Sequence, residues 1–208
     1  MSEPAKISPS FWLKRLHSLA GVLPIGAFLL EHMFTNAFII QGPDAYNEKI
    51  EFLRSIPYLP IIEITVIGLP ILYHAFYGFY IWFSGKSNLR WYPHAANYLY
   101  TLQRWTGLIT FVYILYHVYE TRIVNAMYGT EVSYARMQQI MQNPLVFWFY
   151  IVGLLSTCFH FANGLWGFCI SWGITVGPKA QRTSGIIFSI LGLTIFVVGT
   201  NSLIHLIR

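Results

Sequence analysis

Five long apolar stretches separated by short polar segments leave this chain few ways to fold. In hydrocarbon every backbone N–H and C=O must be bonded within its own segment, so a spanning helix of about 20 mostly apolar residues is the natural solution. The stretches fall at about residues 16–40, 61–83, 105–128, 144–173 and 183–207. The first is interrupted by Glu31-His32, and the third carries Glu120 and Arg122 near its end. Only 10% of the residues are charged and 55% are hydrophobic, whereas a soluble domain carries about 25% charged residues. The expected fold class is therefore all-α: one integral membrane bundle of five transmembrane helices filling residues 1–208. No small-residue cleavage pattern follows the first stretch, which reads as a retained span.

Charge sets the orientation. One side collects Lys6, Lys14, Arg15, Lys86, Arg90, Arg104, Lys179 and Arg182 against one acid, Glu3. The other has Lys49, Arg54, Arg122, Arg136 and Arg208 against Asp44, Glu48, Glu51, Glu63, Glu120 and Glu131. By the positive-inside rule the N-terminus is cytoplasmic and the C-terminus outside. The net charge of +5 is then a topology signal. The basic residues form no run that would track phosphates, so nucleic acid is not an expected partner and the lipid bilayer is. Cys158 and Cys169 are too far apart on one helix for a disulfide. There is no C-x-x-C-H for covalent haem attachment.

The chemistry lies in the histidines. His32, His74, His117 and His160 fall one on each of the first four stretches, spaced 42, 43 and 43 residues apart. Polar groups at such depth are costly, and they face the bundle interior or a functional path. Depth sorts them. His32 and His117 lie about 20–24 Å from the cytoplasmic ends of outward-running helices, and His74 and His160 about 21–25 Å from the outer ends of inward-running ones. Across about 40–45 Å of bilayer with headgroups, His32 and His117 share the outer half and His74 and His160 the inner. Two facing imidazoles at one depth are what bis-histidine ligation of a haem iron requires.

Gly78 and Gly164 each follow a histidine by four residues, on the same helix face. They open a surface for a flat macrocycle or let two helices pack closely. His74-Ala-Phe-Tyr-Gly-Phe-Tyr is a weak repeat of His160-Phe-Ala-Asn-Gly-Leu-Trp, and Gln103-Arg104-Trp105-Thr106-Gly107 of Gln181-Arg182-Thr183-Ser184-Gly185. Arg15, Ser18, Arg104 and Arg182 stand at cytoplasmic helix ends, where they either pair with haem propionates or anchor the helices. His17 reads as polar support at the entrance of the first helix. Glu63, Glu120 and Glu31 lie near the outer level as candidate proton carriers, or as interfacial carboxylates.

Arg15-Leu16-His17-Ser18 with His32, Leu72-Tyr73-His74-Ala75-Phe76-Tyr77-Gly78, Gln103-Arg104 with His117, and His160-Phe161-Ala162-Asn163-Gly164-Leu165-Trp166 together resemble one family. It is the five-helix di-haem cytochrome b anchor of succinate:menaquinone oxidoreductases and quinol:fumarate reductases. The resemblance extends through Trp172-Gly173-Ile174-Thr175-Val176 and Gln181-Arg182, and so covers nearly the whole chain. It implies two haem b groups, held by His74 with His160 and by His32 with His117. It also implies a flavoprotein and an iron–sulfur subunit on the cytoplasmic face of a bacterial membrane, and menaquinone as electron acceptor. Two rivals stand beside it. One is a di-haem quinol cytochrome of another respiratory dehydrogenase; the other is a transporter using histidines for protons or a soft metal, which lacks the expected pair of broken helices.

Overall fold

The computed structural model describes residues 8–86 and 88–208; Glu3 and Lys6 of the charge argument lie outside them. The described residues form helices joined by turns, with no strand among them. Helix α1 runs Pro9–Gln41. Pro9 opens it in the first turn, where no intrahelical N–H is needed. Pro24 interrupts it, because that ring nitrogen has no hydrogen to give the preceding turn. Its last turn, Phe38–Gln41, tightens to a 3-10 helix and ends at Gly42, φ 104°. Then come α2 (Pro43–Arg54), α3 (Leu59–Ser84), α4 (residues 95–128), α5 (Tyr134–Met141), α6 (Pro144–Ser171) and α7 (Pro178–Leu206).

Helices α3 and α4 each contain a π-helical turn, Glu63–Gly68 and Tyr119–Ile123. In α3 the cause is local. Pro70 cannot donate to the carbonyl of Val66, and the helix widens just before it.

Four helices, α1, α3, α6 and α7, are long and apolar enough to cross a membrane. The first segment of α4 alone runs 24 residues, Ala95–Val118. Its tyrosines and threonines, with His117, Glu120 and Arg122 close together, keep it less apolar than the other four. Three helices begin well before apolarity indicates, at Pro9 rather than 16, at Ala95 rather than 105 and at Pro178 rather than 183. Their opening turns are helical without being apolar enough to count as span.

Helix α6 is the spine, with α4 along one side and α7 along another; α1 packs on α3, α6 and α7. The α6–α7 seam is built from small residues. A side chain at Gly192 would meet the Ala162 methyl at 2.7 Å, and one at Gly199 would meet Leu154 at 2.8 Å. On α7, Ile186, Ile190, Leu193 and Val197 point outward and exposed. Large apolar side chains outside and glycine inside is the arrangement expected where lipid replaces water as solvent.

The short helices α2 and α5 lie across one end of the bundle. Tyr46 of α2 and Met137, Ile140 and Met141 of α5 are buried there with Ile39, Tyr150 and Leu206. Ion pairs tie the same end together: Arg54 with Glu131 at 2.7 Å, Arg136 with Glu120 at 2.7 Å, and Arg122 with Glu63. All six residues belong to the side that the charge argument put opposite the N-terminus. At the other end Arg15 donates to the carbonyl of Ser171, and Trp172 Nε1 donates to Ser18 Oγ at 3.0 Å.

Candidate functional site

The four histidines expected to pair do come together. His74 of α3 and His160 of α6 have ring centres 6.1 Å apart with planes at 87°. His32 of α1 and His117 of α4 are 5.6 Å apart at 78°. A metal–imidazole nitrogen bond is about 2 Å, which puts the ring centre roughly 3 Å from the ion. Two imidazoles flanking one ion therefore sit roughly 6 Å apart, and both pairs match that spacing. Among the described residues no group of three or more His, Cys, Asp or Glu gathers as a metal site. The donor set at each pair is two imidazoles, which suits a metal whose remaining ligands come from a planar macrocycle.

Three of the four rings have a partner on Nδ1. His74 Nδ1 donates to the carbonyl of His17 at 2.9 Å, and His160 Nδ1 to the carbonyl of Gln103 at 3.0 Å. His117 Nδ1 lies 3.3 Å from the hydroxyl of Tyr150. The two carbonyl acceptors fix the tautomer of His74 and His160 and leave their Nε2 free to bind a metal, whereas the Tyr150 hydroxyl can donate to or accept from His117.

The inner pair is built twice from one pattern. Each Nδ1 bond spans 57 residues of sequence. Four residues beyond each accepting carbonyl comes a glycine under the imidazole. A Cβ at Gly21 would sit 2.6 Å from His74 Cε1, and one at Gly107 would sit 2.8 Å from His160 Cε1. Gly78 faces His17 Nε2 and Gly164 faces Gln103 Nε2, each at 3.4 Å from a would-be Cβ. So α1 with α3 repeats as α4 with α6, with His17 standing where Gln103 stands. The two differ in side-chain chemistry. The His17 ring stacks on His74 at 4.1 Å and 9°, whereas Gln103 Nε2 donates to the His160 carbonyl and its Oε1 accepts from Asn163 Nδ2. The start of α7 uses the device a third time, with Trp166 Nε1 donating to the Gln181 carbonyl at 2.8 Å beside Gly185.

The basic residues brace the helices that carry this pair. Arg15 reaches the carbonyl of Ser171 at the end of α6, between the rings of Phe11 and Trp172. Arg104 reaches the carbonyls of Trp82 and Gly85 at the end of α3. Cations at helix C-termini meet the negative end of the dipole. Ser18 Oγ donates to the Arg15 carbonyl at 2.9 Å, and Arg182 is exposed in the second turn of α7. Of the carboxylates, Glu63 pairs with Arg122 and Glu120 with Arg136, while Glu31 accepts from Thr35 Oγ1 at 2.7 Å.

Sequence reasoning did not single out Gly21, Gly107 or Tyr150. The two glycines were visible as a repeat: each follows the residue facing Gly78 or Gly164 by four positions. Tyr150 carried no signal, being one of 14 tyrosines.

Residues 84–200 match the family model described as succinate dehydrogenase/fumarate reductase transmembrane subunit. The chain is also similar to the succinate dehydrogenase cytochrome b558 subunit of Bacillus subtilis (strain 168). The two are 45% identical over 193 residues, covering 93% of this chain and 95% of that protein.

Proposed function

Because the chain belongs to the succinate dehydrogenase/fumarate reductase transmembrane subunit family, we propose that it conducts electrons through two haem b groups to menaquinone. It is a multi-pass subunit of a bacterial membrane. In this reading α4 is the fifth span, the N-terminus is cytoplasmic and the C-terminus outside. A flavoprotein and an iron–sulfur subunit dock on the cytoplasmic face. The observation that carries the proposal is the meeting of four imidazoles as two pairs with centres about 6 Å apart.

His74 with His160 holds the inner group and His32 with His117 the outer. Bound there, a haem supplies reversible one-electron chemistry at iron. The chain's own work is placement. The carbonyls of His17 and Gln103 hold the inner imidazoles in one tautomer, and Gly21 and Gly107 leave room for the rings. Along α6, His160 and Tyr150 of the outer level are ten residues apart, about 15 Å of helix. The buried lid of α2 and α5 packs on Tyr150, which bonds the outer pair through His117. Quinone reduction takes up protons as well as electrons, and Glu63, Glu120 and Glu31 are the carboxylates near that level to deliver them. Arg15, Arg104 and Arg182 with Ser18 stand near the inner level to receive carboxylate groups of the haem edge.

A pyridine haemochrome assay on the purified subunit is expected to give two haem b per chain. None would end the proposal. Co-purification of a succinate-oxidising flavoprotein separates this reading from another dehydrogenase's cytochrome.

A further inference from the structure

Three of the four paired imidazoles hold a hydrogen-bond partner at Nδ1, but the partners differ in kind. For His74 and His160 the acceptor is a backbone carbonyl, which no substitution of the accepting residue removes. For His117 it is a side chain, the Tyr150 hydroxyl at 3.3 Å. Tyr150 is 2% exposed and sits in the apolar cluster under α2 and α5. Its ring is edge-on to His117 at 5.8 Å and to Tyr113 at 5.2 Å.

We infer that Tyr150 is a positioning residue that sets the redox potential of the outer haem through His117. The inference rests on the proposed function, in which His32 and His117 hold that haem. With Nε2 on the iron, the proton of His117 must be on Nδ1, so the phenol oxygen accepts it. That bond makes the imidazole a stronger electron donor, which favours the oxidised iron. In this low-dielectric cluster no water competes for the proton. The outer group is therefore adjustable by one hydroxyl, while the inner group is fixed by main chain.

The test is a potentiometric titration, with electron paramagnetic resonance of the oxidised haems, on membranes holding the whole complex. Tyr150→Phe removes the hydroxyl and keeps the ring. Tyr113→Phe removes a neighbouring hydroxyl that bonds neither imidazole. The expected result is a rise of the outer midpoint in Y150F, with a changed outer-haem resonance, an unmoved inner midpoint, and no change in Y113F. An unmoved outer midpoint, an equal shift of both haems, the same shift in Y113F, or loss of the outer haem overturns the inference. If Y150F does not accumulate, 3-fluorotyrosine at position 150 weakens the acceptor and keeps the fold; its outer midpoint must rise by a smaller amount, and an unmoved one again overturns the inference. Failure of the underlying reading looks different, because the unsubstituted complex would then show no pair of haem midpoints at all.

Discussion

The His74 imidazole donates to the backbone carbonyl of His17 at 2.9 Å while lying flat against the His17 ring at 4.1 Å. The same residue thus serves His74 twice, by main chain and by side chain. Only the second role depends on its being histidine, since Gln103 supplies the equivalent carbonyl to His160. His17→Gln, which fills the space beside Gly78 as Gln103 fills that beside Gly164, is therefore expected to retain both haems, and His17→Ala to lower inner-haem occupancy by leaving that space empty. Difference spectra of membranes, scaled to protein, measure this. If H17Q lost the inner haem as fully as H74A, the equivalence of His17 with Gln103 would be refuted.

The ligand assignment makes a separable expectation for each pair. Replacing His74 or His160 by alanine should abolish the inner haem and spare much of the outer one, because the outer rings are held by α1, α4 and Tyr150. Replacing His32 or His117 should do the reverse. Haem counts with potentiometry on the four variants decide it, and a variant that kept both haems would remove its histidine from the ligand set.

Gly21 and Gly107 should tolerate no added side chain without cost to the imidazoles beside them. A methyl at either lies 2.6–2.8 Å from an imidazole carbon, and relieving such overpacking typically costs about 1–3 kcal/mol. G21A and G107A are expected to weaken inner-haem binding alone. Gly167, on the same helix as His160, has nothing within 4 Å. G167A should be silent or stabilise slightly, by about 0.5–1 kcal/mol, the helix advantage of alanine over glycine. Thermal loss of the haem absorbance distinguishes these outcomes, and equal behaviour of G21A and G167A would refute the steric argument.

These glycines show where sequence reasoning stops. The histidine pairs were legible because polar groups in apolar helices are few, and their depth follows from counting residues at a fixed rise. The glycine under each imidazole depends on which faces of two helices meet, and this is fixed only when they pack. Helices α2 and α5 were missed for another reason. They are too short and polar to register as spans, and their burial depends on the ends of α1, α6 and α7 already being in place. Tyr150 is the sharpest case. Its apolar ring is ordinary in such a helix, and only the fold brings its hydroxyl to His117.

The lid carries a pH dependence. Tyr46 of α2 is 2% exposed, and burial, partly offset by the charges of Arg122 and Arg54, pushes its phenol up to about 12. In the unfolded chain it ionises near 10. A raised phenol favours the folded lid fully below pH ~10, and that contribution drains away as pH climbs towards ~12. Thermal stability in detergent should therefore fall over this window, and Tyr46→Phe should flatten the fall. A Y46F profile parallel to that of the unsubstituted protein would show that the lid does not report on this phenol.

Glu63 lies in the π-helical turn of α3, with a side chain 28% exposed, paired to an Arg122 that is 52% exposed. Glu120 is more enclosed, at 17%, against Arg136. A carboxyl that delivers protons to a quinone must exchange them with water and then face the substrate, so between these two ion-paired carboxylates partial exposure favours Glu63. Glu63→Gln keeps the shape and removes the proton. It should leave haem content and haem reduction by succinate unchanged, while turnover with a menaquinone analogue falls roughly 10²-fold, the usual worth of a general acid. Glu120→Gln, which breaks a more buried pair, should instead loosen the join between α4 and α5 and lower thermal stability. Parallel assays of haem reduction and quinone turnover separate the two effects, and full quinone turnover in E63Q would exclude Glu63 as the proton donor.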